Sequence, residues 1–557
     1  ALPLGLPAAF TEPHADPLGE LIARYARTHG PFPSRQLAAD LEVGVAVADE
    51  VLGRLAARGL VVSGYFRPHE SGLEWCDTQV LRRIRRRSIA ALRRQAEPVA
   101  PATYAAFLAD WHGIVAPASN SGIGRAGSRS RVNHDPAGSL DAVVRVVEQL
   151  AGYPLPASAW ETLALPARVP DYQRGMLDTL CSRGEILWCG AGALPGGDGW
   201  LAATPADQPQ LLPAPTLVTG PMAAAICATL AAGGGWFYQQ IVDRVSAEMT
   251  GDFDPAEFHM AIIDLVWAGW LTNDSFGIAH LPRTVPGSHN TNRALHTSGS
   301  MATPRRASQG LRAATRHGRT DRPSRRRAPA TSGRFSLVPR PDVDTTVRAA
   351  DIAPWLLDRH AVVTRGSMTG ERYPGGFALA YKVFSAMEDA GSAVRAYAVE
   401  GLGGAQFTTI GVIDKLRDAD VRQRRQAESA TPPAPPVVVA ATDPAQPYGA
   451  AIPWPVRVAE DLGHRPGRKA GAAVVLDEGA PVLFLERGGK SLLTWPLTPD
   501  RVTAAASALA ATVRRGGLPP PHLARIDSVN ALTSPTAPAL VAAGFIETPR
   551  GLRLPRS

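Results

Sequence analysis

Residues Val45–Arg67 read VAVADEVLGRLAARGLVVSGYFR. Val47, Val51, Leu52 and Leu55 fall on one stripe at helical spacing. Gly59 ends the helix, because a glycine reaches the left-handed conformation that stops one. Leu60-Val61-Val62 and Tyr65-Phe66-Arg67 then read as the two arms of a short hairpin. Upstream, Leu21, Ile22, Tyr25 and Ala26 mark a first helix. A second helix starts after Pro33, with Ser34 as its expected N-cap. Three helices followed by a hairpin are the winged-helix pattern.

The pattern recurs, and this recurrence sets the fold class. Between Leu140 and Leu201, Val144, Val147 and Leu150 open a second copy, Tyr172–Leu180 supplies its third helix, and Glu185–Trp188 with Gly199–Leu201 supply its hairpin. A third copy spans Met222 to Phe276, and a fourth Trp355 to Phe407. The copies lie 50 to 100 residues apart, which describes an array of modules and not a solenoid of fixed period. After Pro432–Pro436 the texture changes to short apolar runs at Val437–Val439, Ala472–Leu476, Pro481–Glu486 and Leu492–Trp495, the mark of a small β-barrel or sandwich. The reading is an α+β chain of tandem winged-helix modules, a small β-barrel and an α/β C-terminal tail. The expected segments are winged helices at 1–78, 139–206, 207–281 and 335–431, a basic helical connector at 79–138, an Arg-rich disordered linker at 282–334, the barrel at 432–498 and the tail at 499–557.

Charge is concentrated. The 557 residues carry a net charge of +8, with only four lysines among 58 cations. Nine arginines and one acid, Asp321, lie between Pro304 and Arg327, so that window alone accounts for the excess. The bulk of the chain is about neutral, and its pI of 9.6 says nothing of a wholly basic surface. A second cluster, Arg82, Arg83, Arg85, Arg86, Arg87, Arg93 and Arg94, sits on a predicted helix. It reads either as a helix laid along a phosphate backbone or as a solvated or subunit-facing brace. The tryptophans Trp188, Trp200, Trp236, Trp267, Trp270 and Trp355 fall at helix and wing positions and read as core. Cys76, Cys181, Cys189 and Cys227 form no CxxC pair, so neither a zinc site nor a disulfide scaffold is expected. No apolar stretch reaches membrane-spanning length. The expected setting is reducing and cytoplasmic.

Several segments then resemble one family. They are Val80–Ala91 (VLRRIRRRSIAA), Glu97-Pro98-Val99, Trp111-His112-Gly113, Ala191–Trp200 (AGALPGGDGW) and Asp264–Gly269 (DLVWAG). Further on come Arg372–Phe377 (RYPGGF), Glu400–Phe407 (EGLGGAQF), Ala440–Pro455 (AATDPAQPYGAAIPWP) and Leu485–Gly489 (LERGG). Together they resemble the C-terminal region of the Lhr-type large helicase-related proteins. The resemblance implies a superfamily 2 ATP-dependent DNA repair helicase whose motor lies upstream, using ATP and Mg, and an appended region that binds DNA or RNA–DNA hybrids beside its own helicase core. It implies homo-oligomers, for instance a tetramer, and an architecture similar to the AlkZ/YcaQ DNA glycosylases. No cofactor is expected in this chain itself. Gly489-Lys490-Ser491 ends like a phosphate-binding P-loop, but Phe484 stands where the leading glycine is required, and Val482–Glu486 reads as a strand turning at Gly488-Gly489.

AlkZ/YcaQ-type catalysis uses a QxQ or QxD pair. Gln406 matches its first half, with Thr408 where a second amide or carboxylate belongs. Asp527, in RIDSVN, carries a suitable carboxylate but follows Arg525 where a Gln belongs. A carboxylate can serve as a general base, so Asp527 and Gln406 are the candidate catalytic residues. Three readings stay open: a nucleic-acid-binding, oligomer-forming accessory region of a repair helicase, a glycosylase for a deaminated or damaged base such as uracil, and a winged-helix scaffold for protein contacts.

Overall fold

The computed structural model describes residues 15–555 apart from 68–71, 96, 117–135, 250–252, 278–332, 430–432, 458–463 and 497. The arginine-rich window Pro304–Arg327, and with it nearly all of the linker expected at 282–334, lies outside the described residues. The chain forms two units, one of residues 1–100 with 381–418, the other of residues 101–380 with 419–557.

In the first unit, helices Pro17–Thr28, Ser34–Asp40 and Val45–Ala57 precede strands Val61–Gly64 and Glu74–Asp77. Asp16 caps the first helix, accepting from the Gly19 N–H at 3.0 Å. Ser34 does not cap the second: Pro33 holds that position, and the Ser34 hydroxyl accepts from Trp75 Nε1 at 2.9 Å instead. On the third helix, Ala48 is buried with Val51, Leu52 and Leu55, whereas Val47 is exposed. The small Ala48 lets the helix sit close to Ile22 and Ala26 of the same core. The second arm of the wing is Glu74–Asp77, not Tyr65–Arg67. Glu74 is buried at the wing base, where it accepts from the backbone N–H groups of Phe66 and Arg67 and pairs with the Arg67 guanidinium. This unit also holds helix Thr78–Gln95 and the hairpin Val394–Arg395 with Phe407–Thr408.

In the second unit, two winged helices share one core. The first has helices Pro136–Gln149, Ala157–Arg168 (interrupted by a π-turn at Trp160–Ala164) and Met176–Ser182, then strands Ile186–Ala193 and Gly199–Pro205. The second has helices Pro221–Leu230, Tyr238–Glu248 and Pro255–Trp267, then strand Leu271–Asn273. Its third strand is Arg334–Leu337, which pairs antiparallel with Leu271–Asn273 and with Trp236–Phe237. Residues 278–332 therefore connect two paired strands of one module. The boundary drawn at 281 by composition cut a hairpin in two. Trp188 and Phe276 meet edge to face in the joint core, at 6.0 Å between ring centroids.

The two modules lock through glycines. A Cβ on Gly190 would lie 2.2 Å from the Val266 carbonyl oxygen, and one on Gly199 would lie 2.3 Å from the Trp267 ring. The AGALPGGDGW and DLVWAG motifs thus form two sides of one contact.

The C-terminal region is a six-stranded sheet in the order Val437–Ala440, Ala473–Asp477, Ala480–Leu485, Ser491–Thr494, Arg525–Ile526, Val529–Asn530. Its first and last strands are not paired with each other, so the closed barrel expected here is not found; the sheet is open among the described residues. The boundary at 498 is also no break, because Arg525–Ile526 joins Ser491–Leu492 in parallel. Helix Pro499–Arg514 packs on this sheet, and a second small sheet of His522–Leu523, Ile546–Thr548 and Gly551–Arg553 completes the region. Gly488 and Gly489, both at positive φ, turn one hairpin arm into the next.

Adding one methyl at Gly190 forces backbone apart in a packed interface, which costs about 1–3 kcal/mol. Gly190→Ala should lower the Tm by about 2–4 °C per kcal/mol. Gly30→Ala, with open space around it, should leave the Tm unchanged in the same calorimetric scan. Equal melting of both variants would show that the module contact is not so tight.

Candidate functional site

In a winged helix that reads DNA, the third helix enters the groove and presents side chains to the bases and phosphates. Here the third helices are poorly suited to that task. Pro255–Trp267 bears Glu257 and Asp264 and no Lys or Arg, and it buries Phe258, Ile262, Ile263, Leu265, Val266 and Trp267. Met176–Ser182 turns Asp178 toward the neighbouring module, where it accepts from Ser275 Oγ at 3.1 Å and from the Phe276 N–H at 2.5 Å. Val45–Ala57 exposes Asp49 and Glu50, and its Arg54 lies 3.7 Å from Asp16. Gly376–Ala390 carries Lys382, Glu388 and Asp389.

Helix Thr78–Gln95 is different. Arg82, Arg83, Arg85 and Arg87 are all exposed on it. Arg85 donates to the Ala390 carbonyl at 3.1 Å, satisfying the end of helix Gly376–Ala390. Arg82, Arg83 and Arg87 make no hydrogen bond or ion pair among the described residues. At 100° per residue they span about 140° of the helix surface, with Arg85 on the other side. The helix has no carboxylate to neutralise them. The side chains of Arg86, Arg93 and Arg94 lie outside the described residues.

Gln406 is fully buried and fully engaged. Its Oε1 accepts from the N–H groups of Ala398 and Val399, and its Nε2 donates to the carbonyls of Val399 and Gly403. Four contacts exhaust a side-chain amide, so this residue staples the EGLGG loop and has nothing left for a water or a sugar. Thr408 is buried beside it.

Asp527 and Ser528, at φ 48° and 69°, form the two-residue turn between strands Arg525–Ile526 and Val529–Asn530. The turn holds the Asp527 carboxylate against the sheet. Its Oδ1 accepts from the Thr494 N–H at 2.9 Å and pairs with the Arg457 guanidinium; its Oδ2 accepts from Thr494 Oγ1 at 2.5 Å. The same carboxylate edges a largely apolar cavity of about 740 Å³ that Trp495, Pro496, Thr503, Ser534 and Thr536 help to line. Trp495 is backed by Trp454 at 5.8 Å, stacked, and Arg457 lies 6.0 Å from the Trp495 ring. A cavity of this size accommodates a small ring ligand, and an anchored carboxylate at its rim can accept a proton or an N–H. Nothing in the sequence around Asp527 announced the cavity, since its walls come from segments far apart in the chain.

Among the described residues no group of His, Cys, Asp and Glu could hold a metal ion, and no helix is long and apolar enough to cross a membrane. The cysteines are free; burial pushes the thiols of Cys76 and Cys189 up to about 11.

This arrangement defines a tandem winged-helix protein with a C-terminal mixed sheet. Family models described as a winged-helix domain of the large helicase-related protein match residues 99–206 and 342–428. The Lhr helicase/probable uracil glycosylase of Mycolicibacterium smegmatis is 43% identical over 568 residues, covering 99% of this chain and 35% of that protein. The Lhr helicase/uracil glycosylase of Escherichia coli K12 is 34% identical over 563 residues, covering 99% of this chain and 34% of that protein. The chain belongs to the Lhr-type large helicase-related family, as the sequence motifs suggested, and spans about a third of the length of these relatives. The DNA glycosylase AlkZ of Streptomyces sahachiroi aligns over 77% of this chain and 99% of its own, with 11% identity and a TM-score of 0.37.

Proposed function

We propose that this chain is a nucleic-acid-binding accessory region of an Lhr-type helicase, and that helix Thr78–Gln95 lies along a phosphate backbone. The observation that carries the reading is the set of exposed, unneutralised arginines Arg82, Arg83 and Arg87. Arginine forks match phosphate geometry, and contacts of this kind bind without reading sequence. The ligand is DNA or an RNA–DNA hybrid. In the whole protein the region works beside the helicase core, which uses ATP and Mg; this chain needs no cofactor of its own. The region assembles as a homo-oligomer, for instance a tetramer, in the cytoplasm. A winged-helix scaffold for protein contacts is the alternative if the arginine stripe proves silent.

The test is a titration of duplex and hybrid ligands at several salt concentrations. Each phosphate contact contributes about 0.9 to the slope of log K against log salt on duplex DNA. The triple variant Arg82→Ala/Arg83→Ala/Arg87→Ala should lower that slope by about 2–3 and weaken binding alike on unrelated sequences. Unchanged affinity together with loss of the oligomer in light scattering would mean that the stripe faces another subunit.

The cavity at Asp527 supports a second reading, base excision, which matches the glycosylase in the names of both relatives. An extruded base enters a closed pocket while a nearby carboxylate stabilises the sugar cation or activates water. Asp527→Asn keeps the size of the side chain and removes the charge. Release of uracil from a single-stranded oligonucleotide, read by alkaline strand cleavage, should fall by about 100-fold or more. Full activity in Asp527→Asn would remove that residue from the chemistry.

A further inference from the structure

A second cavity, of about 590 Å³, opens in the larger unit between the winged helix that begins with helix Pro136–Gln149 and the end of helix Pro499–Arg514. One wall is the π-turn Trp160–Ala164, where the Leu165 N–H reaches back five residues to the Trp160 carbonyl. Such turns are rare and recur at functional sites. Here the widened turn sets Glu161 and Thr162 at the cavity. The opposite wall comes close: a Cβ on Gly517 would lie 3.1 Å from the Thr162 carbonyl oxygen.

The polar groups of this cavity fall into two kinds. Tyr172 donates to Glu161 Oε1 at 3.2 Å, and burial followed by the Glu161 charge pushes the Tyr172 hydroxyl far above the usual tyrosine range. The phenol therefore stays protonated, and the carboxylate beside it remains an acceptor. The cations are Arg174 and Arg515, both exposed at the mouth of the cavity; Arg174 is close enough to Tyr172 to act on its charge, and partial desolvation holds Arg515 below the usual arginine range. Neither guanidinium has a hydrogen-bond or ion-pair partner among the described residues. The buried arginines Arg168 and Arg359 of the same unit, by contrast, each donate to a carboxylate. A guanidinium without a protein partner is open to a bound anion.

We infer that this cavity is a binding site for a nucleotide, with its phosphate on Arg174 and Arg515 and the N–H edge of its base on Glu161. Phosphate takes two arginine forks readily, and a carboxylate accepts from exocyclic amines and ring N–H groups. Inorganic phosphate alone would leave Glu161 facing an anion. The nucleotide comes either free or as one residue of a strand. The site is independent of the arginine stripe on helix Thr78–Gln95.

The experiment uses the whole chain carrying Arg82→Ala/Arg83→Ala/Arg87→Ala, so that the helix contributes nothing. Its probes are 5′-AMP, followed by calorimetry, and a fluorescent oligodeoxyadenylate 12-mer, followed by anisotropy at several salt concentrations. Adding Arg174→Ala/Arg515→Ala should weaken one of the probes at least tenfold. Arg174→Lys/Arg515→Lys should restore part of the loss, since charge is kept but the fork is not. A loss on AMP identifies a free nucleotide as the ligand. A loss on the 12-mer alone, with the salt slope reduced by between one and two, identifies a strand. Absence of saturable binding by either probe, or equal affinity in the parent and the Arg→Ala variant at unchanged Tm, overturns the site.

Discussion

A buried ion pair holds the larger unit together. Arg168 meets Asp443 through both guanidinium nitrogens, at 2.7 and 2.9 Å, and both side chains are withdrawn from water. Burial alone would raise the Asp443 carboxyl, but the Arg168 charge outweighs it and holds the group below the usual carboxylate range. His112 completes the cluster, with Nδ1 3.2 Å from Arg168 and Nε2 2.8 Å from the Arg359 carbonyl. Burial, and then the Arg168 charge, hold His112 down to about 3, so the ring is neutral. Removing one member of a buried pair costs about 3–5 kcal/mol, because the other charge is left without a partner. The cost applies to three distant stretches of chain at once: the turn after helix Pro101–Trp111, the winged helix that begins with helix Pro136–Gln149, and the TDPAQPYG segment that leads into the C-terminal sheet. Arg359, Glu371 and His360 form a similar knot beside it, with the Glu371 carboxyl held at about 2. His112 and Asp443 of the first knot fall within motifs that carried the family resemblance, so those motifs mark part of the scaffold of the region.

This scaffold explains why some of the fold was legible in the sequence and some was not. Helices with a buried stripe, such as Pro17–Thr28 and Val45–Ala57, declare themselves through local spacing. The errors within them are of one residue: Val47 looks apolar enough for the core, but Ala48 fits the tighter space. The wing of the third module is hidden in the sequence for a different reason. Arg334–Leu337 pairs with Leu271–Asn273 across more than 50 residues of low apolar content, and composition alone places a domain boundary in such a stretch. Sheet closure depends on pairing between the first and last strands, which no local pattern reveals. The parallel pairing of Ser491–Leu492 with Arg525–Ile526 likewise joins segments that look separate.

The candidate residues divide in the same way. Gln406 drew notice by its place in a motif, and its amide proved to be consumed by four backbone groups. Asp527 drew notice as an isolated carboxylate, and its turn places it at the rim of a cavity. Arg82, Arg83 and Arg87 were visible as a charge run. Whether such a run is neutralised depends on the three-dimensional neighbours, and among the described residues no acid stands against it. Arg174 and Arg515 have no signature in the sequence, because two arginines more than 300 residues apart give no pattern.

Winged helices usually contact DNA through the third helix. In the larger unit, the third helices of two successive modules are spent on the contact between those modules, with acids where a reader of DNA needs cations. The central claim is that phosphate contact falls instead to helix Thr78–Gln95. Hydrogen exchange of the whole chain with and without duplex DNA tests this most directly. The account predicts slowed exchange on DNA binding in peptides covering 78–95, with peptides covering 176–182 and 255–267 unchanged. Protection of 176–182 or 255–267 without protection of 78–95 would contradict it.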